Sequence, residues 1–146
     1  MNILVGTWSV DRQIYKRLLL TTNAELTGVP NTIDSEKGVV VGGSHWFEYY
    51  KFNGDFTYEN VLEVSGGDDF TMPNGRTTTK GHYAISGNTV TLTEIEQRFV
   101  SSTNSQKNKV YDRTKEPSQS VNFQILDNGQ TLQFENFYPI STFYRS

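Results

Sequence analysis

Acid–base chemistry needs a proton carrier beside a group that polarises a carbonyl, and this chain holds both kinds of residue at strand spacing. His45, Glu94 and Glu96 are candidate carriers, since a glutamate against an apolar wall has its pKa raised toward neutrality. Tyr49, Tyr58 and Tyr83 are candidate polarising hydroxyls. His45, Glu94 and Tyr83 form the candidate catalytic set of a cofactor-independent reaction. Glu94 and Glu96 stand about 7 Å apart along a strand, which overlaps the separation of paired glycosidase carboxylates, although two neighbouring rim glutamates are more often plain surface. There is no phosphate-cradling Gly-rich loop, no Gly-x-Ser-x-Gly and no histidine pair at metal-binding spacing. The two histidines are predicted on opposite faces, and the absence of cysteine excludes disulfides and thiol chemistry. No metal or other cofactor is expected.

At 146 residues the chain makes one domain with a single core or a single lined cavity. Aromatics are 13% of residues against a hydrophobic share of only 35%, which suits a sheet lined with rings. A net charge of −3 provides no basic face for nucleic acid. No run of 18 apolar residues is present to span a membrane. With no secretory signal before the first strand, a cytoplasmic location is expected, or secretion if a leader has been removed.

Period-two alternation and turn residues divide the chain into eight strands, at 3 to 15, 39 to 52, 55 to 64, 79 to 86, 89 to 99, 120 to 127, 130 to 136 and 140 to 145. Asn53-Gly54, Gly87-Asn88 and Asn128-Gly129 are tight-turn pairs. Gly42-Gly43 suggests a bulge or bend. Residues 16 to 37, 65 to 78 and 100 to 119 read as long polar loops, and the lysines and arginines of the last read as a solvated loop rather than an anion site. If the first strand runs upward, every tight turn falls at one end and every long loop at the other. That alternation predicts an all-β, eight-stranded up-and-down antiparallel barrel with one shut end and one mouth.

Gly6-Thr7-Trp8 opening the first strand and Arg145 closing the last resemble the calycin superfamily, whose best-known branches are the lipocalins and fatty-acid-binding proteins. The resemblance implies an indole that plugs the closed end, an arginine across it, and a glycine that leaves room for the ring. A guanidinium over an indole face contributes roughly 0.5–2 kcal/mol. The turn at 126 to 130 lacks the Thr-Asp-x-x-Tyr pattern many lipocalins carry, and the flanking C-terminal helix usual in that branch has no counterpart before Ser146. The ten-stranded acyl-binding branch fits the strand count less well. The chain is similar to an outlying bacterial-type lipocalin-like domain. The resemblance implies a small-molecule ligand, or the isomerase and cyclase activities that some such barrels serve.

Two-residue turns fix the predicted facing. The inward pairs are Ile125 with Leu132, Phe123 with Phe134, Val121 with Asn136, Ile85 with Val90, Tyr83 with Leu92, and Gly81 with Glu94. Between the second and third strands they are Tyr49 with Tyr58, Phe47 with Asn60, and His45 with Leu62. A three-residue bulged turn there would instead bring in Trp46, Glu48 and Tyr50. The predicted floor is apolar around Trp8, Phe56, Ile85, Val90, Ile125 and Leu132. The wall above it is polar, with Arg12, His45, Tyr49, Tyr58, Asn60, Tyr83, Glu94, Glu96 and Asn136. Such a gradient suits an amphiphilic ligand. The alternatives are an upper barrel open to water, an acid–base enzyme, and a filled barrel that acts through its loops.

Overall fold

The structure, a computed structural model, describes residues 2–18, 32–33, 39–66, 73–135 and 142–146, with side chains in 2–12, 44–66, 73–135 and 142–146. The strands are β1 (Gly6–Leu18), β2 (Thr32–Ile33), β3 (Val39–Phe52), β4 (Thr57–Ser65), β5 (Gly75–Ser86), β6 (Thr89–Ser101), β7 (Lys109–Asp112), β8 (Gln119–Leu126), β9 (Thr131–Phe134) and β10 (Thr142–Arg145). Eight of them pair antiparallel in the order β10-β9-β8-β6-β5-β4-β3-β1, and β10 returns to β1 to close the barrel. Closure gives each of these eight strands a neighbour on both sides. The layout is the predicted up-and-down, lipocalin-like one. β2 pairs with the upper end of β1, and all three segments predicted as loops hold strand: the end of β1 and β2 in the first, the start of β5 in the second and β7 in the third.

Alternation explains which side chains are interior. In β5, Thr79, Gly81 and Tyr83 are buried while Lys80, His82 and Ala84 are exposed; in β8, Val121 and Phe123 are buried while Asn122 and Gln124 are exposed. The pairs Phe123 with Phe134, Ile125 with Leu132, Tyr83 with Leu92 and Gly81 with Glu94 fall as predicted. The β1–β3 ladder slips between Lys16 and Arg17, opposite Gly42 and Val40, which is the irregularity that Gly42-Gly43 suggested.

Two irregularities decide the rest. The first is the β3–β4 turn, which is not the two-residue Asn53-Gly54 turn. The Asn53 amide donates to the Thr57 carbonyl at 2.9 Å, the Phe56 amide to the Asn53 carbonyl, and Phe56 takes a positive φ of 65°. Asp55 explains the choice, because its carboxylate accepts from both the amide and the hydroxyl of Thr57, at 3.1 and 2.6 Å. This local carboxylate turn outcompetes the Asn-Gly signal. The bulged register follows, with Tyr50 opposite Asn60, Glu48 opposite Leu62 and Trp46 opposite Val64. The second irregularity lies in β6. Gly81 pairs with Glu94 but Lys80 pairs with Glu96, so Ile95 is an extra residue. A Cβ on Gly81 would overlap the Thr93 carbonyl oxygen, so glycine permits this approach.

The closed half of the barrel is solid. Trp8, Phe52, Phe134, Phe143, Leu4 and Leu132 are fully buried. Tyr50 reaches across the barrel to Phe134 and Phe143, each at 5.3 Å between ring centres, and lies 5.7 Å from Phe52. Phe52 meets Tyr83 edge-on at 4.9 Å. Each such ring pair adds roughly 0.5–1.5 kcal/mol to the burial of its area. At the base the Trp8 indole donates to the Leu4 carbonyl, and Arg145 lies over the indole with its guanidinium carbon 4.0 Å from the ring centre. Arg145 also donates to the carbonyls of Gly129, Val5 and Ile3. A Cβ on Gly6 would lie 2.6 Å from the Arg145 guanidinium, so the glycine leaves room for the arginine rather than for the indole. Phe56, predicted at the floor, is half exposed in its turn and touches Tyr83.

Candidate functional site

Above the packed rings, a cavity of about 390 Å³ opens within the barrel. Strand residues of its wall are Tyr50, Tyr58, Asn60, Thr79, Leu92 and Glu94. The remainder comes from Arg113, Glu116, Pro117 and Ser118 of the strap between β7 and β8, and from Gln119 at the start of β8. β7 and β8 both pair with β6, one above and one below its bulge, so the strap crosses the wall opposite residues 93 to 95. The Arg113 amide donates to the carbonyl of Ile95, the extra residue. Its guanidinium Nε then donates to Glu94 Oε2 at 2.8 Å, both side chains being 31% exposed.

The electrostatics follow from burial. Glu48 faces inward between Val10 and Leu62, with one hydrogen bond on Oε2 from the Asn60 side-chain amide at 2.8 Å. Burial pushes its pKa up from 4.5 to about 7, opposed by that hydrogen bond. Burial holds Tyr50 and Tyr58 well above the ordinary phenol range; the carboxylates of Glu48 and then Glu94 add to this at Tyr50, and that of Glu94 at Tyr58. The Glu94 hydrogen bond raises the pKa of Arg113. One half-buried acid that titrates near neutrality therefore stands beside Asn60, which itself lines the cavity.

The sequence-predicted residues divide into four groups. Tyr58, Asn60, Leu92 and Glu94 line the cavity. Leu62 and Arg12 share the inner face nearer the mouth, Leu62 against Val64 and Arg12 opposite Trp46. Phe123 and Phe134 belong to the packed floor rather than to the cavity wall, and so does Tyr83. The Tyr83 hydroxyl donates to the Asn53 carbonyl and accepts from the Asn2 amide, each at 2.6 Å, beneath the rings. The remaining group is on the outside.

His45, Phe47 and Tyr49 lie on the outer face because the bulged turn shifts β3 by an odd number of residues. His45 pairs with Asp11, Phe47 packs against Tyr49 at 6.3 Å, and Tyr49 donates to Glu59 at 2.7 Å. Glu96 is outside too, opposite Lys80 and 3.9 Å from Arg98, because the Ile95 bulge separates it from Glu94. His45, Glu94 and Tyr83 are thus not brought together, and Glu94 and Glu96 do not form a carboxylate pair. Both histidines are on the outer face, not on opposite ones. Asn136 lies outside the described residues. Gly6, Trp8 and Arg145 meet at the closed end.

Sequence reasoning missed Arg113, which it read as part of a solvated loop, and set Glu48 only in the alternative register. The Asp-x-Thr at Asp112 and Thr114 repeats the signal at Asp55 and Thr57 and marks the turn that presents Arg113: the Asp112 carboxylate accepts from the Thr114 amide and hydroxyl. Among the described residues, no three His, Asp or Glu side chains converge as a metal site would need. None of their helices is long and apolar enough to cross a membrane. No family model matches the chain, and no curated protein or solved structure is significantly similar to it.

Proposed function

We propose that the chain binds a small hydrophobic or amphiphilic molecule inside its barrel. The observation that carries this reading is the cavity of about 390 Å³ set directly above a filled floor. Its volume lies within the range of small-molecule pockets. Leu92 and the rings of Tyr50 and Tyr58 offer apolar surface, and Asn60, Thr79, Glu94 and Gln119 offer polar contacts. The Trp8 and Arg145 stack behind Gly6 adds support to the calycin-like reading of the fold. Titration with a neutral fluorescent probe, 1-aminoanthracene, tests the proposal. One site per chain is expected, and Leu92→Trp, which sets an indole into the cavity, should weaken binding at least severalfold. A probe affinity unchanged in the folded Leu92→Trp variant would refute the assignment.

A second reading, a cofactor-independent isomerase or cyclase, is favoured by Glu48. A carboxyl that titrates near neutrality suits proton transfer in both directions. Glu48 would take a proton from carbon beside a carbonyl whose oxygen is held by Tyr58, and return it at another position. In that case Glu48→Gln keeps ligand binding and loses turnover to a product of equal mass. Full turnover by Glu48→Gln would dismiss this role.

A further inference from the structure

The cavity carries an imbalance of charge that points to its ligand. Glu94 and Glu116 line it, and Arg113 is the only cation among its described lining residues. Arg113 is not anchored in a barrel strand. It arrives from the strap, turned inward by Asp112 and Thr114, and places its guanidinium 2.8 Å from Glu94 and 3.9 Å from Glu116. Both members of the Glu94–Arg113 pair are about one third exposed, so solvent reaches the pair and screens it. Beside Glu94 stand the buried rings of Tyr50 and Tyr58, 6.5 Å apart. Both tyrosines line the cavity beside that carboxylate, so aromatic surface and phenol oxygens surround a cation held there.

We infer that Arg113 holds the place of the ligand's own charge, and that the cavity takes an organic cation, a protonated amine on a flat apolar body. The ammonium pairs with Glu94 beside Tyr50 and Tyr58 once the Arg113 side chain swings out, while the apolar body rests against Leu92. An anion has no equivalent place, because binding to Arg113 would strip Glu94 of its partner and set a third negative charge beside those of Glu94 and Glu116. The inference rests on the cavity-binding reading and specifies its ligand class.

The test is displacement of bound 1-aminoanthracene by three compounds that share an indole body: tryptamine, tryptophol and indole-3-acetate. Tryptamine should displace the probe at a concentration about tenfold below that of indole-3-acetate, with tryptophol between them. Arg113→Ala, or Arg113→Gln should the alanine variant unfold, removes the competing cation and should lower the tryptamine value severalfold while tryptophol changes little. Glu94→Gln should raise the tryptamine value about tenfold. Equal displacement by all three, a preference for indole-3-acetate, or weaker tryptamine binding in the Arg113 variants would overturn the cation assignment and leave the binding cavity standing. Failure of the probe to bind the wild-type protein would overturn both.

Discussion

Replacing Glu48 by glutamine should change the pH dependence of stability. The Glu48 carboxyl has a folded-state pKa of about 7 against an ordinary 4.5. Between those values the native state holds its proton more tightly than the unfolded chain, so this group favours folding at low pH. The advantage is lost as pH rises through the window, and above 7 the native state carries the full cost of a buried carboxylate. A shift of that size corresponds to roughly 3 kcal/mol. Glutamine keeps an oxygen for the Asn60 amide and has no charge to desolvate. Glu48→Gln should therefore match the wild type near pH 4 and exceed it by roughly 3 kcal/mol at pH 8, a rise in Tm of roughly 6–12 °C. Urea denaturation of both proteins from pH 4 to 8 measures the difference. Asp55 and Asp112, whose pKa values are lowered by their threonine partners, titrate in both proteins and cancel. A difference that stays flat across the range, or that grows toward low pH, would refute the burial argument.

Gly81→Ala should cost about 3 kcal/mol, because its Cβ would strike the Thr93 carbonyl oxygen; a denaturation midpoint unchanged from wild type would contradict the close approach at the bulge. Gly6→Ala and Arg145→Lys should each cost about 2 kcal/mol, the first by forcing the guanidinium aside and the second by losing carbonyl hydrogen bonds and the Trp8 stack. Their double variant should cost clearly less than the sum, since both act on one contact; additive losses would separate them. Tyr83→Phe should cost about 1 kcal/mol, because the Asn53 carbonyl keeps only the Phe56 amide as donor and the Asn2 amide loses its acceptor. Ligand binding should be unchanged, and a selective loss of binding at full stability would return Tyr83 to the site.

The barrel was legible because its signals are local and agree. Gly87, with a positive φ of 59°, opens a two-residue turn, and the Asn128-Gly129 segment keeps Ile125 opposite Leu132 even though the turn itself is wider than two residues. Alternation then sets the facing of β5, the lower part of β6, β8 and β9. The β3–β4 hairpin was ambiguous because two local signals overlap within a few residues. Asn53-Gly54 asks for a tight turn, whereas Asp55 capping Thr57 asks for a longer one. Only the fit of Tyr50 and Phe52 into the aromatic floor shows which register buries rings and which would bury Lys51.

The site was less legible because its chemistry depends on the parity of two irregularities rather than on residue type. An odd shift at the β3–β4 turn turns His45 and Tyr49 outward and brings in Glu48. One extra residue, Ile95, sends Glu96 outward while Glu94 stays inside. The same extra residue offers its carbonyl to the Arg113 amide, and so aligns the strap that carries a cation to Glu94. The bulge thus selects the inward acid and also recruits its partner from a segment that, as sequence, is an ordinary polar loop. No pairing rule for isolated strands contains that coupling, because it joins the close approach allowed by Gly81 on β5 to the turn at Arg113, which lies beyond β6 and β7 in the chain.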